Sequence, residues 1–384
     1  MKVCLDIARH RSRRAMIACS IISVTLSGAS WAQVAPPAEA EPPAPAEAPA
    51  QPADPHESAQ NNALAGEITP ELDSAVTKGL AALAKMQNED GSFGDGRFGR
   101  SVAITALACL AFMGDGNLPG RGAYAEHVSR GLNFVLDNCS ESGLIAADAS
   151  TGPMYGHGFA TLFLGEAYGM TQGGGDTALA TRVHNSLLKA VRLIQSTQNT
   201  QGGWRYNPIP YDADVSVTIC QIMALRSARN AGLEVPKETI DKAVEYVRNC
   251  QNPVDGGFRY QLDSGGSAWP RSAAGVASLY YAGIYTDRAI DKGLEYLTIN
   301  SMPGKGDAAT KAHYYYGHYY AVQAMYLAGG KNWAEWWPAI RGELLGSQGP
   351  DGKWDDQSVG ETYGTSMALI ILQMPKRYLP IFQK

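Results

Sequence analysis

Three short stretches set a tyrosine, a glycine and a polar side chain in a row: Tyr155-Gly156-His157, Tyr316-Gly317-His318 and Tyr363-Gly364-Thr365. A fourth, Asp212-Ala213-Asp214, puts two carboxylates two residues apart, and a fifth, Trp269-Pro270-Arg271, joins an aromatic to a cation. Each opens an apolar helical segment, where free backbone N–H groups and the positive end of the helix dipole gather. A carboxylate pair can act as acid and base when its surroundings set the protonation states apart. The candidate catalytic residues are Asp212 and Asp214. The candidate ligand-binding residues are Tyr155, His157, Trp269, Arg271, His313, Tyr316, His318 and Tyr363. The same residues have a structural reading. Asp and Ser at helix starts are ordinary caps, the glycines permit turns or close packing, and aromatics at helix junctions pack.

The elements that position these residues repeat. Gln87…Gly91-Ser92-Phe93, Gln198…Gly202-Gly203-Trp204, Gln251…Gly256-Gly257-Phe258 and Gln348…Gly352-Lys353-Trp354 are one motif written four times. Weaker copies at Asn138-Cys139…Gly143 and Asn300…Gly304 fill the gaps, so the period is about fifty residues over six copies. Each copy pairs an amphipathic helix, as in Ile240–Val247 and Ile290–Leu297, with a second helix apolar on nearly all sides, as in Ser216–Ala228. The first kind faces water on one side and the second is buried. Six such hairpins can close into two concentric rings. The glutamine amide then reads as a structural tie between neighbouring repeats, with the aromatic covering the junction.

These copies resemble the glutamine–tryptophan repeats of squalene and terpene cyclases and of protein prenyltransferase β subunits, over residues 66–384. The resemblance implies an all-α fold, an α/α toroid (α6/α6 barrel), with the inner-helix starts around the mouth of a largely apolar central cavity. It implies a small amphipathic or isoprenoid ligand at that mouth, in an exported protein. The cyclases' Asp-x-Asp-Asp motif is matched by Asp212 and Asp214, with Asp214 in the acid's place, but Val215 replaces the third acid. Acid-initiated cyclisation therefore stands as an alternative to binding alone. The prenyltransferases' zinc site would need an Asp-x-Cys pair near Trp269–Ser272, which has neither residue, so no metal or other cofactor is implied. A polysaccharide- or cell-wall-acting protein is a further alternative, because similar toroids serve carbohydrate chemistry.

Residues 1–32 read as a signal peptide. Arg9, Arg11, Arg13 and Arg14 precede the apolar stretch Ala15–Ser27, and Ser30-Trp31-Ala32 suits cleavage. Ser12-Arg13-Arg14 also resembles the start of a twin-arginine signal. Residues 33–65 are rich in Ala, Pro and Glu and read as a disordered linker, which could associate with an envelope or cell wall. The expected location is periplasmic or extracellular. Removing residues 1–32 takes five of the 32 Lys/Arg and one of the 37 Asp/Glu, leaving a formal charge of −9. That balance, with no basic run in the repeats, speaks against a nucleic-acid partner.

Four cysteines remain: Cys109, Cys139, Cys220 and Cys250. Cys109 and Cys220, like Cys139 and Cys250, stand 111 residues apart. An oxidising compartment would permit two equivalent bridges, Cys109–Cys139 and Cys220–Cys250. Thr105 and Thr218 put the helix registers two residues out of step, which would spoil the equivalence and leave four buried thiols.

Overall fold

Ser101 accepts the amide of Ile104 at 3.3 Å and Asp214 that of Val217 at 2.8 Å, and at both places an apolar segment becomes a helix. A computed structural model describes residues 66–147, 152–171, 176–304 and 312–383, and within them twelve α-helices. The signal peptide and the linker lie outside the described residues. The odd-numbered helices are α1 (Pro70–Ala84), α3 (Ala125–Asp137), α5 (Thr177–Ser196), α7 (Lys237–Asn249), α9 (Arg288–Asn300) and α11 (Gly330–Ser347). The even-numbered ones are α2 (Val102–Met113), α4 (Met154–Thr171), α6 (Val215–Asn230), α8 (Trp269–Tyr281), α10 (Tyr314–Ala328) and α12 (Glu361–Leu372).

Each even helix packs on the next, and α12 packs back on α2, so these six form a closed inner ring. Nearly every residue of α2, α8 and α12 is buried, whereas α3, α7 and α9 bury one stripe, as their sequence periodicity requires. The odd helices form the outer ring, with α11 resting on α1. The fold is an all-α α/α toroid.

The repeat motif makes the same joint four times. The Gln87 amide donates to the carbonyls of Gly91 (3.0 Å) and His127 (2.9 Å), and that of Gln198 to Gly202 (2.8 Å) and Thr239 (2.9 Å). Gln251 does so to Gly256 (2.9 Å) and Ala289 (2.8 Å). Gln348 reaches Gly352 and Ala75, both at 2.9 Å. One bond closes the local turn and the other ties the end of one outer helix to the start of the next. The Gln348 tie joins the last outer helix to the first. In the weaker copies, among the described residues, the side-chain amides of Asn138 and Asn300 bond back to Phe134 and Tyr296 of their own helices, the side chain being one methylene shorter. Gly202 needs its positive φ of 98°, and a Cβ there would strike the Lys242 carbonyl of the next outer helix.

A second joint links each motif to the inner helix that follows it. The amide of the motif's aromatic donates to a hydroxyl one turn into that helix: Phe93 to Thr105 (2.8 Å), Trp204 to Thr218 (3.1 Å), Phe258 to Ser272 (2.8 Å) and Trp354 to Thr365 (3.1 Å).

The four cysteines are free thiols, which overturns the expected bridges. Two residues of register turn a helix by about 200°. Cys109 accordingly faces Gly131 of α3, while Cys220 faces across the ring to the Tyr320 hydroxyl at 3.3 Å. Cys139 and Cys250 lie at the ends of outer helices, Cys139 beside Ser186 and Cys250 beside Tyr246.

Candidate functional site

The three tyrosine–glycine tripeptides prove to have one role per position. Tyr155, Tyr316 and Tyr363 all line one cavity of about 410 Å³ at the mouth formed by the inner-helix starts. The glycines allow close packing: a Cβ on Gly156 would meet Val102 of α2 at 2.9 Å, and one on Gly317 would strike the Trp269 ring. The third residue is a fastener in two of the three. His157 Nδ1 accepts the Ile145 amide at 3.2 Å, where Thr365 accepts that of Trp354. The proton of His157 therefore sits on Nε2, which faces the Ala190 carbonyl at 3.3 Å. Burial pushes its pKa down to about 4 and keeps the ring neutral.

His157 is thus corrected from ligand residue to structural joint, and His318 from ligand residue to a buried packing residue whose Nδ1 has no hydrogen-bond partner among the described residues. His318 is buried among the rings of Trp269, Tyr314 and Trp336 at 4.5–5.7 Å, and burial pushes its pKa down to about 3. Trp269 is 5 % exposed and packs there with it, behind the mouth. Arg271 and His313 do line the cavity. Arg271 donates to the carbonyls of Phe258 (3.1 Å) and Gly266 (2.6 Å) and has no acid partner among the described residues. His313 is exposed and takes a left-handed conformation (φ 54°) just before α10.

Tyr206 and Tyr260 complete the mouth, and the candidate set lacks both. Each follows the motif aromatic by two residues, in Trp204-Arg205-Tyr206 and Phe258-Arg259-Tyr260. The segment after each motif crosses the start of the preceding inner helix. Met154 of α4 donates to the Tyr206 carbonyl and Val215 of α6 to that of Tyr260, both at 3.0 Å. The repeated Arg-Tyr after the glycine pair was the available signal.

Asp214 does not act as a free acid. It is fully buried; Oδ1 caps α6 and Oδ2 accepts the Tyr260 hydroxyl at 3.2 Å. The Tyr260 hydroxyl is also bonded to that of Tyr206, so with its own proton committed to Asp214 it accepts from Tyr206. Arg205 pairs with half-exposed Asp212 and lies 3.7 Å from Asp214. Burial raises the Asp214 pKa to about 6, against the opposing pull of the Val217 amide, Tyr260 and Arg205. Neither Asp212 nor Asp214 lines the mouth cavity. Burial holds the Tyr155 and Tyr316 hydroxyls well above the usual phenol range, so both remain protonated donors.

Below the mouth, the ring is crossed by side chains. From α10, Tyr316 donates to the Ser216 carbonyl (3.2 Å), Tyr320 meets Cys220 (3.3 Å) and Tyr319 packs edge-on to Phe159 of α4 (6.0 Å). These chords join helices that are not neighbours in the ring and occupy the space where the resemblance implied a deep apolar cavity. At the opposite end, Ile381 and Phe382 are buried, and the Ile381 amide donates to Glu166 at 3.2 Å.

A second cavity, of about 800 Å³, adjoins the first and shares Tyr155 and Tyr206 with it. Arg97, Arg100, Phe98 and Val102 lie along it, and among the described residues no carboxylate lines either cavity. Among the described residues, no three of His, Cys, Asp and Glu converge as a metal-binding group.

Solved structures share this architecture. An α-1,6-mannanase of Salegentibacter, in complex with α-1,6-mannotriose, superposes with a TM-score of 0.59 at 6 % identity, over 79 % of this chain and 98 % of that one. A D-mannose isomerase gives 0.57 at 11 % identity, over 81 % and 99 %. The type II terpene cyclase MstE from Scytonema gives 0.55 at 14 % identity, over 80 % and 99 %. These likenesses establish the toroid. Identities this low carry the fold alone. No family model matches the chain, and no curated protein matches it.

Proposed function

We propose that the protein is an exported glycan-recognising toroid whose mouth holds part of a saccharide chain. One observation carries this reading: five tyrosines, Arg271 and His313 surround a cavity whose floor is closed by the chords from α10. Aromatic faces stack on sugar rings while phenol and guanidinium hydrogens bond their hydroxyls, so a shallow aromatic site suits a hydroxyl-rich ligand. Glycoside hydrolysis by two flanking carboxylates finds no support, since neither carboxylate of the 212–214 pair lines the cavity. The reading is therefore one of binding, in the periplasm or outside the cell, with the N-terminal linker tethering the toroid near the envelope.

A second reading, an amphipathic isoprenoid, draws on the apolar wall of the larger cavity, where Phe98, Val102 and Ala103 lie. Electrophoresis through gels cast with envelope polysaccharides, with native mass spectrometry of the protein purified from its own envelope, separates the two. Retardation by a glycan and an unliganded mass support the first. A co-purifying polyprenoid without retardation would replace it with the second.

A further inference from the structure

The charge around the mouth runs against that of the chain. The protein carries 37 Asp and Glu against 32 Lys and Arg, yet among the described residues the two adjoining cavities are lined by Arg97, Arg100, Arg271 and His313 and by no carboxylate. Among the described residues, Arg97 and Arg271 have no acidic partner; Arg97 bonds weakly to the Ser358 carbonyl at 3.4 Å, and Arg271 bonds to two carbonyls. Arg100 is held by Asp90 at 2.7 Å. A cleft bearing one sign of charge concentrates ligands of the other sign. The arginines fall into two groups, Arg97 and Arg100 in one cavity and Arg271, beside His313, in the other, and the cavities meet at Tyr155 and Tyr206.

Resting on the glycan reading, we infer that the ligand is an anionic polysaccharide, a chain of sugars bearing carboxylates, which lies across both cavities. Consecutive acidic units face the two cation groups, with the chain passing over Tyr155 and Tyr206. The guanidinium of Arg271 suits a carboxylate because its two backbone bonds use Nε and Nη2 and leave other N–H donors free. Tyr206, Tyr260 and Tyr316 already donate to Tyr260, Asp214 and the Ser216 carbonyl, so the mouth tyrosines contribute ring faces while the arginines supply the charged hydrogen bonds.

The test compares two polymers of one backbone: polygalacturonate and the galactan made from it by carboxyl reduction. Affinity electrophoresis and calorimetry are run on the full mature chain, with a single-stranded oligonucleotide as a third probe. Polygalacturonate should bind at least about tenfold more tightly than its reduced form, a preference that salt erodes. Arg271→Gln and Arg97→Gln should each weaken it by about tenfold. Lys237→Gln removes a cation from α7, outside both cavities, and should leave binding unchanged. Thermal melting checks that each variant folds. Equal affinity for the parent and reduced polymers would overturn the inference and leave the glycan reading standing. Binding to neither polymer would overturn both. Oligonucleotide binding as tight as that of polygalacturonate would overturn the commitment to a polysaccharide.

Discussion

Tyr155 and His157 stand two residues apart on α4 and serve opposite sides of the wall. The tyrosine lines the mouth, while the histidine turns inward to take the Ile145 amide. Two residues along a helix amount to about 200° of rotation, so a tripeptide that reads as one ligand-binding cluster is split into a cavity-lining side chain and a joint. The split recurs in Tyr363/Thr365, and in Tyr316/His318 the histidine turns instead into a buried cluster of rings.

Replacing His157 with Ala should leave the buried Ile145 amide without an acceptor. The expected cost is about 1–3 kcal/mol, read from chemical denaturation, with glycan affinity unchanged in the folded fraction. A loss of affinity with no loss of stability would return His157 to the site.

The ring is closed by Gln348, whose amide reaches back to Ala75 on α1. Gln348→Ala should destabilise by about 1–3 kcal/mol. The weak second copy offers the reverse experiment. The carbonyls taken by Gln87, Gln198, Gln251 and Gln348 belong to His127, Thr239, Ala289 and Ala75. Each lies three residues before the residue whose carbonyl the motif glycine approaches, and the equivalent on α5 is Ser186. Asn138→Gln should reach it and stabilise by about 0.5–1 kcal/mol. Unchanged melting in both variants would show that the ties add nothing to stability.

Glu166 is buried at the closed end of the ring, where it accepts from Ser227 Oγ (2.7 Å) and the Ile381 amide (3.2 Å). Burial raises its pKa to about 7 despite these two donors. A raised carboxyl contributes stability in full below its unfolded value near 4.5 and loses it as pH rises through 7. Glu166→Gln can keep both contacts, with its carbonyl taking Ile381 and its amide donating to Ser227. The melting temperature of the variant should therefore gain on wild type as pH rises from 5 to 8, by the equivalent of roughly 3 kcal/mol. His157 and His318 act in the opposite sense in both proteins. Their depressed values mean that stability falls as pH drops below the free-histidine range, so only the difference between the two proteins isolates Glu166. A difference independent of pH would contradict the assignment.

With four free thiols, alkylation after unfolding without reductant should add four labels, detected by mass. Two labels or none would restore the disulfide expectation.

The toroid was legible in the sequence because its joints are local. A glutamine, a glycine and an aromatic at fixed spacing specify each turn, and helix amphipathicity separates outer from inner. Tyr155, Tyr316 and Tyr363 were legible for the same reason, since they open inner helices. The rest depends on contacts between repeats. Tyr206 and Tyr260 reach the mouth because their backbone crosses the preceding helix start, a relation the spacing within one repeat does not display. His157 replaces the amide-accepting hydroxyl with an imidazole in one degenerate copy, and His318 packs among rings in the other, so chemically suggestive residues stand in structural positions. The filled lumen arises from three tyrosines of α10 pointing across the ring, a choice of helix face beyond the reach of the repeat pattern. Asp214 shows the limit of motif matching. It sits where the cyclase acid would sit, yet its carboxylate is taken up by the cap and by Tyr260.

The central claim is that ligand is held at the mouth, over Tyr155. The most direct measurement is the calorimetric affinity of the folded Tyr155→Ala variant for a polygalacturonate oligomer, relative to wild type. The account predicts binding weakened by about tenfold or more, the loss of an aromatic stacking face, with the helical content unchanged. Wild-type affinity in that variant would place the ligand elsewhere and contradict the account.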